Sequence, residues 1–113
     1  MSSDCLFCSI VRGEIPADVV SQTEHTIAFR DINPQADVHV LVVPRLHEPD
    51  IASLAAADPD VTIALIAETL RIAQAESGGQ YRLVFNTGEA AGQTVFHAHG
   101  HVLGGHLHSP LPS

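Results

Sequence analysis

Val95-Phe96-His97-Ala98-His99-Gly100-His101-Val102-Leu103 places three imidazoles at every second position of a run rich in strand-forming residues. Side chains alternate faces along an extended strand, so the three rings are expected to point one way and Ala98 and Gly100 the other, where their small size lets a helix approach. Histidine titrates nearest neutrality, so such a row can bind metal, grip phosphate, shuttle protons or attack an electrophile. At about 3.3 Å per residue the outer rings stand roughly 13 Å apart and neighbours roughly 6 to 7 Å apart. One metal can take two adjacent members, hardly all three. A catalytic zinc site built from this strand alone is therefore disfavoured, while two of its residues with a distant third stay open. A divided row fits better, one end joining the Cys5/Cys8 pair and the rest handling a phosphoryl centre, because neutral imidazole is a competent nucleophile and imidazolium a good donor to phosphoryl oxygens. The bland alternative is a solvated strand face, which would ordinarily carry one histidine rather than three in alternation.

Upstream, Gly88 to Gly92 reads as a loop and Tyr81 to Asn86 as a strand. Asp58-Pro59 supplies an N-cap with proline at the first helical position, and Gly78-Gly79 closes the segment, so residues 59–77 are expected to form one long helix. Its apolar stripe is Val61, Ile63, Leu65, Ile66, Leu70 and Ile72, with Asp60, Thr62, Thr69, Arg71, Gln74 and Glu76 mostly opposite. Val38 to Val43 is a β-branched strand stopped by Pro44, preceded by a turn-rich loop from Asn33 to Asp37. Asp18 to Gln22 and Thr26 to Arg30 suggest a hairpin, and Leu6 to Arg12 a short helix ended by Gly13. The tail from His106 to Ser113 is not expected to continue a strand but to lie along the surface or a partner, with His25, His106 and His108 solvated. Short connections in the order α-β-β-β-α-β-β argue for an α+β domain spanning residues 1–113.

Thirteen acidic residues stand against five arginines and no lysine, a formal charge of −8 that repels long polyanions, so DNA and RNA are not expected partners. Any phosphate must be held locally by histidines, backbone N–H groups or hydroxyls, and so belongs to a small molecule. No run is long and uncharged enough to span a bilayer, and Met1 to Cys5 carries neither a basic nor an apolar leader, which points to the cytoplasm. There, C-x-x-C at Cys5 and Cys8 is more often a metal half-site or redox dithiol than a structural disulfide. The redox alternative lacks the preceding strand of a thioredoxin-type unit.

Gly92-Gln93-Thr94-Val95-Phe96 leading into His97-Ala98-His99-Gly100-His101-Val102-Leu103-Gly104-Gly105 resembles the signature of the histidine-triad (HIT) nucleotide-binding family, in its Hint branch and zinc-containing type. The Fhit branch would more typically show Pro-Arg in place of Gly104-Gly105. Asp31-Ile32-Asn33-Pro34-Gln35-Ala36, Val43-Pro44-Arg45-Leu46-His47, Arg82-Leu83-Val84-Phe85-Asn86 and Cys5-Leu6-Phe7-Cys8 follow the order and spacing of that family.

The resemblance implies a HIT-like five-stranded antiparallel sheet with one short N-terminal helix and one long helix at about residues 59–77, and a homodimer whose sheets join edge to edge. It implies hydrolysis of purine nucleoside 5′-phosphoramidates, or related nucleotidyl bonds, at the α-phosphorus. His99 would be the nucleophile forming a nucleotidyl-histidine, His101 would hold phosphate oxygens, and His39 would orient the cluster. Asn86, His101 and the backbone from Gly92 to Val95 would donate to the phosphate, while Thr94 and Gln93 would meet the leaving group. Asp31 would accept from the ribose, and Phe7, Phe29 and Ile32 would form the slot for the base. Cys5, Cys8, His47 and His97 would hold a structural zinc with no open coordination position. Competing functions are a dinucleoside polyphosphate hydrolase, a nucleotide-binding or partner-binding protein with incidental hydrolysis, and zinc-dependent hydrolysis with metal on His99 and His101. Thr94 stands where serine is common, and Gly100 where an apolar residue is usual.

Overall fold

A computed structural model describes residues 5–108, so the expectation for the end of the tail, residues 109–113, lies outside the described residues, as do residues 1–4. The elements run α1 (Leu6–Val11), β1 (Val19–Gln22), β2 (Thr26–Arg30), β3 (Ala36–Pro44), α2 (Ile51–Ala57), α3 (Pro59–Ser77), β4 (Arg82–Val84) and β5 (Gly100–Leu107). The strands form one antiparallel sheet in the order β1-β2-β3-β5-β4. This is the expected five-stranded sheet, with three helices rather than two.

Helix α3 is built as its sequence dictates. Asp58 Oδ1 accepts from the Val61 N–H at 3.1 Å, Pro59 opens the first turn, and the chain leaves the helix at Gly78. Its buried face is Val61, Leu65, Glu68, Thr69, Ile72 and Ala73. Leu65, Ile72 and Ala73 close over Ala28 of β2, Val40 and Val42 of β3 and Val102 of β5. Thr69 therefore turns inward, contrary to expectation, while Ile63, Ile66 and Leu70 of the expected stripe are exposed. Glu68 is buried because it is paired: Arg71 and the Ser21 hydroxyl of β1 both donate to its carboxylate. No element was expected between Pro44 and Asp58. Helix α2 forms there because Asp50 caps it through the Ser53 N–H at 2.8 Å and Leu54 is fully buried with Val61 and Ala98.

The opposite face of the sheet carries α1. Phe7 and Ile10 pack with Ile27, Phe29, Leu41 and Val43, so the odd-numbered residues of β2 and β3 face α1 and the even-numbered ones face α3. This parity puts His39 and His101 on the α1 side.

The histidine run departs from the expected continuous strand. Pairing with β3 begins at Val42 opposite Gly100, while the Ala98 N–H leaves the sheet to reach the Glu48 carbonyl at 2.8 Å. Gly100 is approached by the Phe85 side chain, not by α3: a Cβ there would lie 3.0 Å from Phe85 Cε1. At the far end β5 continues through Leu107, which pairs with Ala36, so His106 and Leu107 extend the strand that the tail was expected not to continue. The register shifts there, with Gly105 at φ +71° against Asp37, whose carboxylate accepts from the His106 N–H at 2.9 Å. That bond, with His108 beside it, holds the Asp37 carboxyl below its usual range. His25, His106 and His108 are exposed, as expected.

Candidate active site and metal cluster

The sheet face under α1 opens into a cleft of about 540 Å³, within the range of small-molecule sites. Phe7, Phe29 and Ile32 line its apolar part, joined by Ile15 and Leu41, and Asp31, Thr94, Val95, His99 and His101 line the rest. Ile32 stands fully exposed at the rim.

Three hydrogen bonds fix three imidazole tautomers. The Gln35 backbone N–H donates to His39 Nδ1 at 3.0 Å, so His39 carries its proton on Nε2. That Nε2–H lies 2.9 Å from His101 Nδ1 and 3.4 Å from the Asp31 carboxylate. His101 is thereby left with its proton on Nε2, and this atom is buried without a partner among the described residues, on a ring that lines the cleft. His99 is arranged the other way round: its Nδ1–H donates to the His97 carbonyl at 2.8 Å, which leaves the lone pair on Nε2.

Burial sets the protonation of the group. It lowers the pKa of His39 against the opposing pull of Asp31, and that of His99 against the His97 carbonyl. His101, desolvated and beside two other imidazoles, is pushed down to about 3. All three rings are neutral near pH 7. A neutral His99 offers a nucleophilic nitrogen, and a neutral His101 still offers an N–H to an anion.

His97, in the bend before β5, serves a second cluster. Its Nε2–H donates to the Pro44 carbonyl at 2.8 Å, which turns the Nδ1 lone pair toward Cys5 Sγ and Cys8 Sγ, each at 3.4 Å, and His47 Nδ1 at 3.0 Å. Cys8 Sγ lies 3.1 Å from His47 Nδ1. A tetrahedral ion bound to sulfur and nitrogen sets its ligands roughly 3.3 to 3.8 Å apart, so the four donors stand close to the edges of such a shell. Four electron-rich atoms crowded in this way fit a cation, and the cluster could hold a metal ion. Burial raises the Cys5 pKa against the Cys8 backbone N–H, which pulls it down.

Not every expected residue lines the cleft. His39 lies behind His101. Gln93 is buried in the loop, where its amide donates to the carbonyls of Pro49 at 2.6 Å and Val95 at 3.0 Å and its Oε1 accepts from the Gly88 N–H at 2.9 Å. Asn86 and Gly92 are half-buried outside the cleft lining. The Gln35 N–H escapes sequence inspection altogether, and a backbone carbonyl can be expected as the acceptor for His99 Nδ1–H without being identified as that of His97, because main-chain groups leave no mark on residue type. The apolar Ile15-Pro16 wall carries the faint signal of hydrophobic residues just beyond a helix end.

The sequence pattern of the HIT domain matches residues 12–108. An uncharacterized HIT-like protein of Synechococcus elongatus is 46% identical over 109 residues, covering 93% of each chain. The purine nucleoside phosphoramidase of Escherichia coli K12 is 37% identical over 113 residues, covering 98% of this chain and 95% of its own. Among solved structures, a HIT family hydrolase from Legionella pneumophila superposes with a TM-score of 0.87 at 41% identity, covering 96% of this chain and 99% of its own.

Proposed function

Since the chain belongs to the HIT domain family and is a hydrolase of that family, we propose that it cleaves purine nucleoside 5′-phosphoramidates, or related nucleotidyl bonds, at the α-phosphorus. The observation that carries this reading is the 2.8 Å bond from His99 Nδ1–H to the His97 carbonyl, which frees Nε2 of a cleft-lining ring for attack. Similarity to the Escherichia coli phosphoramidase supports the substrate class.

His99 Nε2 forms a bond to phosphorus as the phosphorus–nitrogen bond of the substrate breaks, and the amine departs with a proton drawn from solvent through the exposed Thr94 hydroxyl. Water then attacks the nucleotidyl-histidine, giving the nucleoside monophosphate and restoring neutral His99. His101 Nε2–H, without a partner among the described residues, donates to a phosphoryl oxygen, a contact that strengthens as charge gathers there. His39 orients His101, Asp31 accepts from the ribose hydroxyls, and Phe7, Phe29 and Ile32 sandwich the purine. The Gln93 amide shapes the loop that presents Thr94 and Val95 to the cleft, and Asn86 and the backbone N–H groups of these two residues complete the phosphate donors, the Gly92 N–H being taken by the Glu89 carbonyl at 3.0 Å.

Zinc is the ion the Cys5, Cys8, His47 and His97 donor set suits, and with four protein ligands its part is structural. Such a thiolate site persists in the reducing cytoplasm. A second copy of the chain covers the exposed Ile63, Ile66 and Leu70 and extends the sheet at its β4 edge. The deciding experiment is steady-state release of AMP from adenosine 5′-phosphoramidate: activity in His99→Ala equal to that of the parent sinks the proposal.

A further inference from the structure

Cys5-Leu6-Phe7-Cys8 sets an aromatic ring between two metal-ligand candidates. That ring meets His99 edge-on, with centroids 4.9 Å apart and planes at 88°. It also touches Phe29 at 5.5 Å and His97 at 6.2 Å, and it is buried. On another side His99 is held by the His97 carbonyl at 2.8 Å. The nucleophile candidate is thus gripped by two groups, and each belongs to the metal cluster or sits beside it in the chain.

We infer that Phe7 and the His97 carbonyl are positioning groups for His99, and that metal on Cys5, Cys8, His47 and His97 keeps both in place. The inference rests on the reading of His99 as nucleophile. Helix α1 has six residues, too few to be stable without its neighbours. What docks it is the burial of Phe7 and Ile10, together with the approach of Cys5 and Cys8 to His47 and His97. A cation converts that approach from a crowding of lone pairs into four bonds. Without it the first turn of α1 is released, the Phe7 edge leaves the His99 ring, and the bend holding the His97 carbonyl keeps its bonds to Pro44 and, through the Ala98 N–H, to Glu48 but loses its tie to α1. A metal that never touches substrate then governs the aim of the attacking nitrogen. Loose positioning of a reacting group costs up to about 100-fold in rate.

The test compares zinc-loaded and chelator-treated protein labelled with 15N-histidine. In the zinc-loaded protein, long-range proton–nitrogen spectra are expected to show His99 as a single tautomer with a slowly exchanging Nδ1–H. Removing zinc is expected to mix the tautomers and speed that exchange while circular dichroism keeps the folded signature, with kcat falling by about 10- to 100-fold. Phe7→Leu, still holding one zinc per chain, is expected to shift the same signals and to lower kcat beyond any change in KM. Unchanged His99 signals in both samples overturn the inference, as does a Phe7→Leu protein that changes KM alone. Should the chelated protein unfold, zinc-loaded Phe7→Leu decides the matter by the same signals. Absence of AMP release from the zinc-loaded parent would defeat the phosphoramidase reading instead, and the His99 tautomer comparison would still stand.

Discussion

His39 Nε2 stands 2.9 Å from His101 Nδ1, and the Gln35 N–H at 3.0 Å from His39 Nδ1 decides which nitrogen of each ring carries the proton. A backbone amide in the loop before β3 thereby sets the donor on a ring across the sheet. His39→Phe removes that donor and leaves His101 Nδ1 buried and unpaired. The expected outcome is a fall in kcat of about 100-fold with a smaller change in KM, since a correctly protonated partner is worth about that much. His39→Gln, which keeps an N–H in reach, is expected to recover part of the loss. Steady-state kinetics on adenosine 5′-phosphoramidate check both.

Stability should fall with acid. His39 and His101 are buried neutral with lowered pKa values, His101 at about 3, against an unfolded value near 6.5. Between those values the unfolded chain binds the proton and the folded chain does not. Their contribution is therefore fully present above pH 6.5 and is lost as pH falls toward the folded pKa, by up to about 1.4 kcal/mol per pH unit for each group. Urea unfolding at pH 7 and pH 5 measures this. His101→Gln, which removes one titrating ring, is expected to flatten the slope.

Metal removal should destabilise the chain. Binding to the folded state alone adds about 4 kcal/mol at a thousandfold excess over Kd. Cys8→Ser should lose zinc stoichiometry by elemental analysis and unfold several degrees below the parent. His99→Ala should keep one zinc per chain, which separates the Cys2His2 assignment from a metal on His99 and His101.

The limits of what the sequence reveals follow from where each signal resides. Helix α3 is legible because Asp58-Pro59 and Gly78 mark its ends by local chemistry. Its buried face is legible only in Val61, Leu65 and Ile72, since Ile63, Ile66 and Leu70 carry the same periodicity as a core stripe but stay uncovered in the single chain. The break in the histidine run depends on the Glu48 carbonyl capturing the Ala98 N–H, a contact 50 residues away along the chain. Of the metal cluster, only Cys5 and Cys8 are adjacent enough for spacing to speak. His47 and His97 enter through family resemblance, and the fold brings all four together.

Gly100 and Phe85 should behave as a coupled pair. A Cβ at Gly100 would sit 3.0 Å from Phe85 Cε1 and 3.1 Å from Leu83 Cδ1, so Gly100→Val overpacks this layer. The expected cost is about 1 to 3 kcal/mol in urea unfolding. Phe85→Leu alone removes packing, but combined with Gly100→Val it makes room for the new side chain. The double variant is then expected to be more stable than the sum of the single losses allows, by 0.5 kcal/mol or more on the scale of about 0.5 to 3 kcal/mol seen for touching residues. Strict additivity would place the Gly100 constraint elsewhere.

Ile63, Ile66 and Leu70 lie at spacings of three and four along α3, one exposed apolar face of a helix whose opposite side is core. Ile63 is 66% exposed, a poor state for a β-branched apolar side chain unless something covers it. If the cover is a second copy of the chain, Ile66→Glu sets two carboxylates near each other across a two-fold interface already burdened by a charge of −8 on each chain. Sedimentation is expected to give a dimer for the parent and a monomer for Ile66→Glu, with far-ultraviolet circular dichroism unchanged because the residue lies outside the buried core clusters. A parent that sediments as a monomer at tens of micromolar would reject the homodimer and leave the stripe to a different protein.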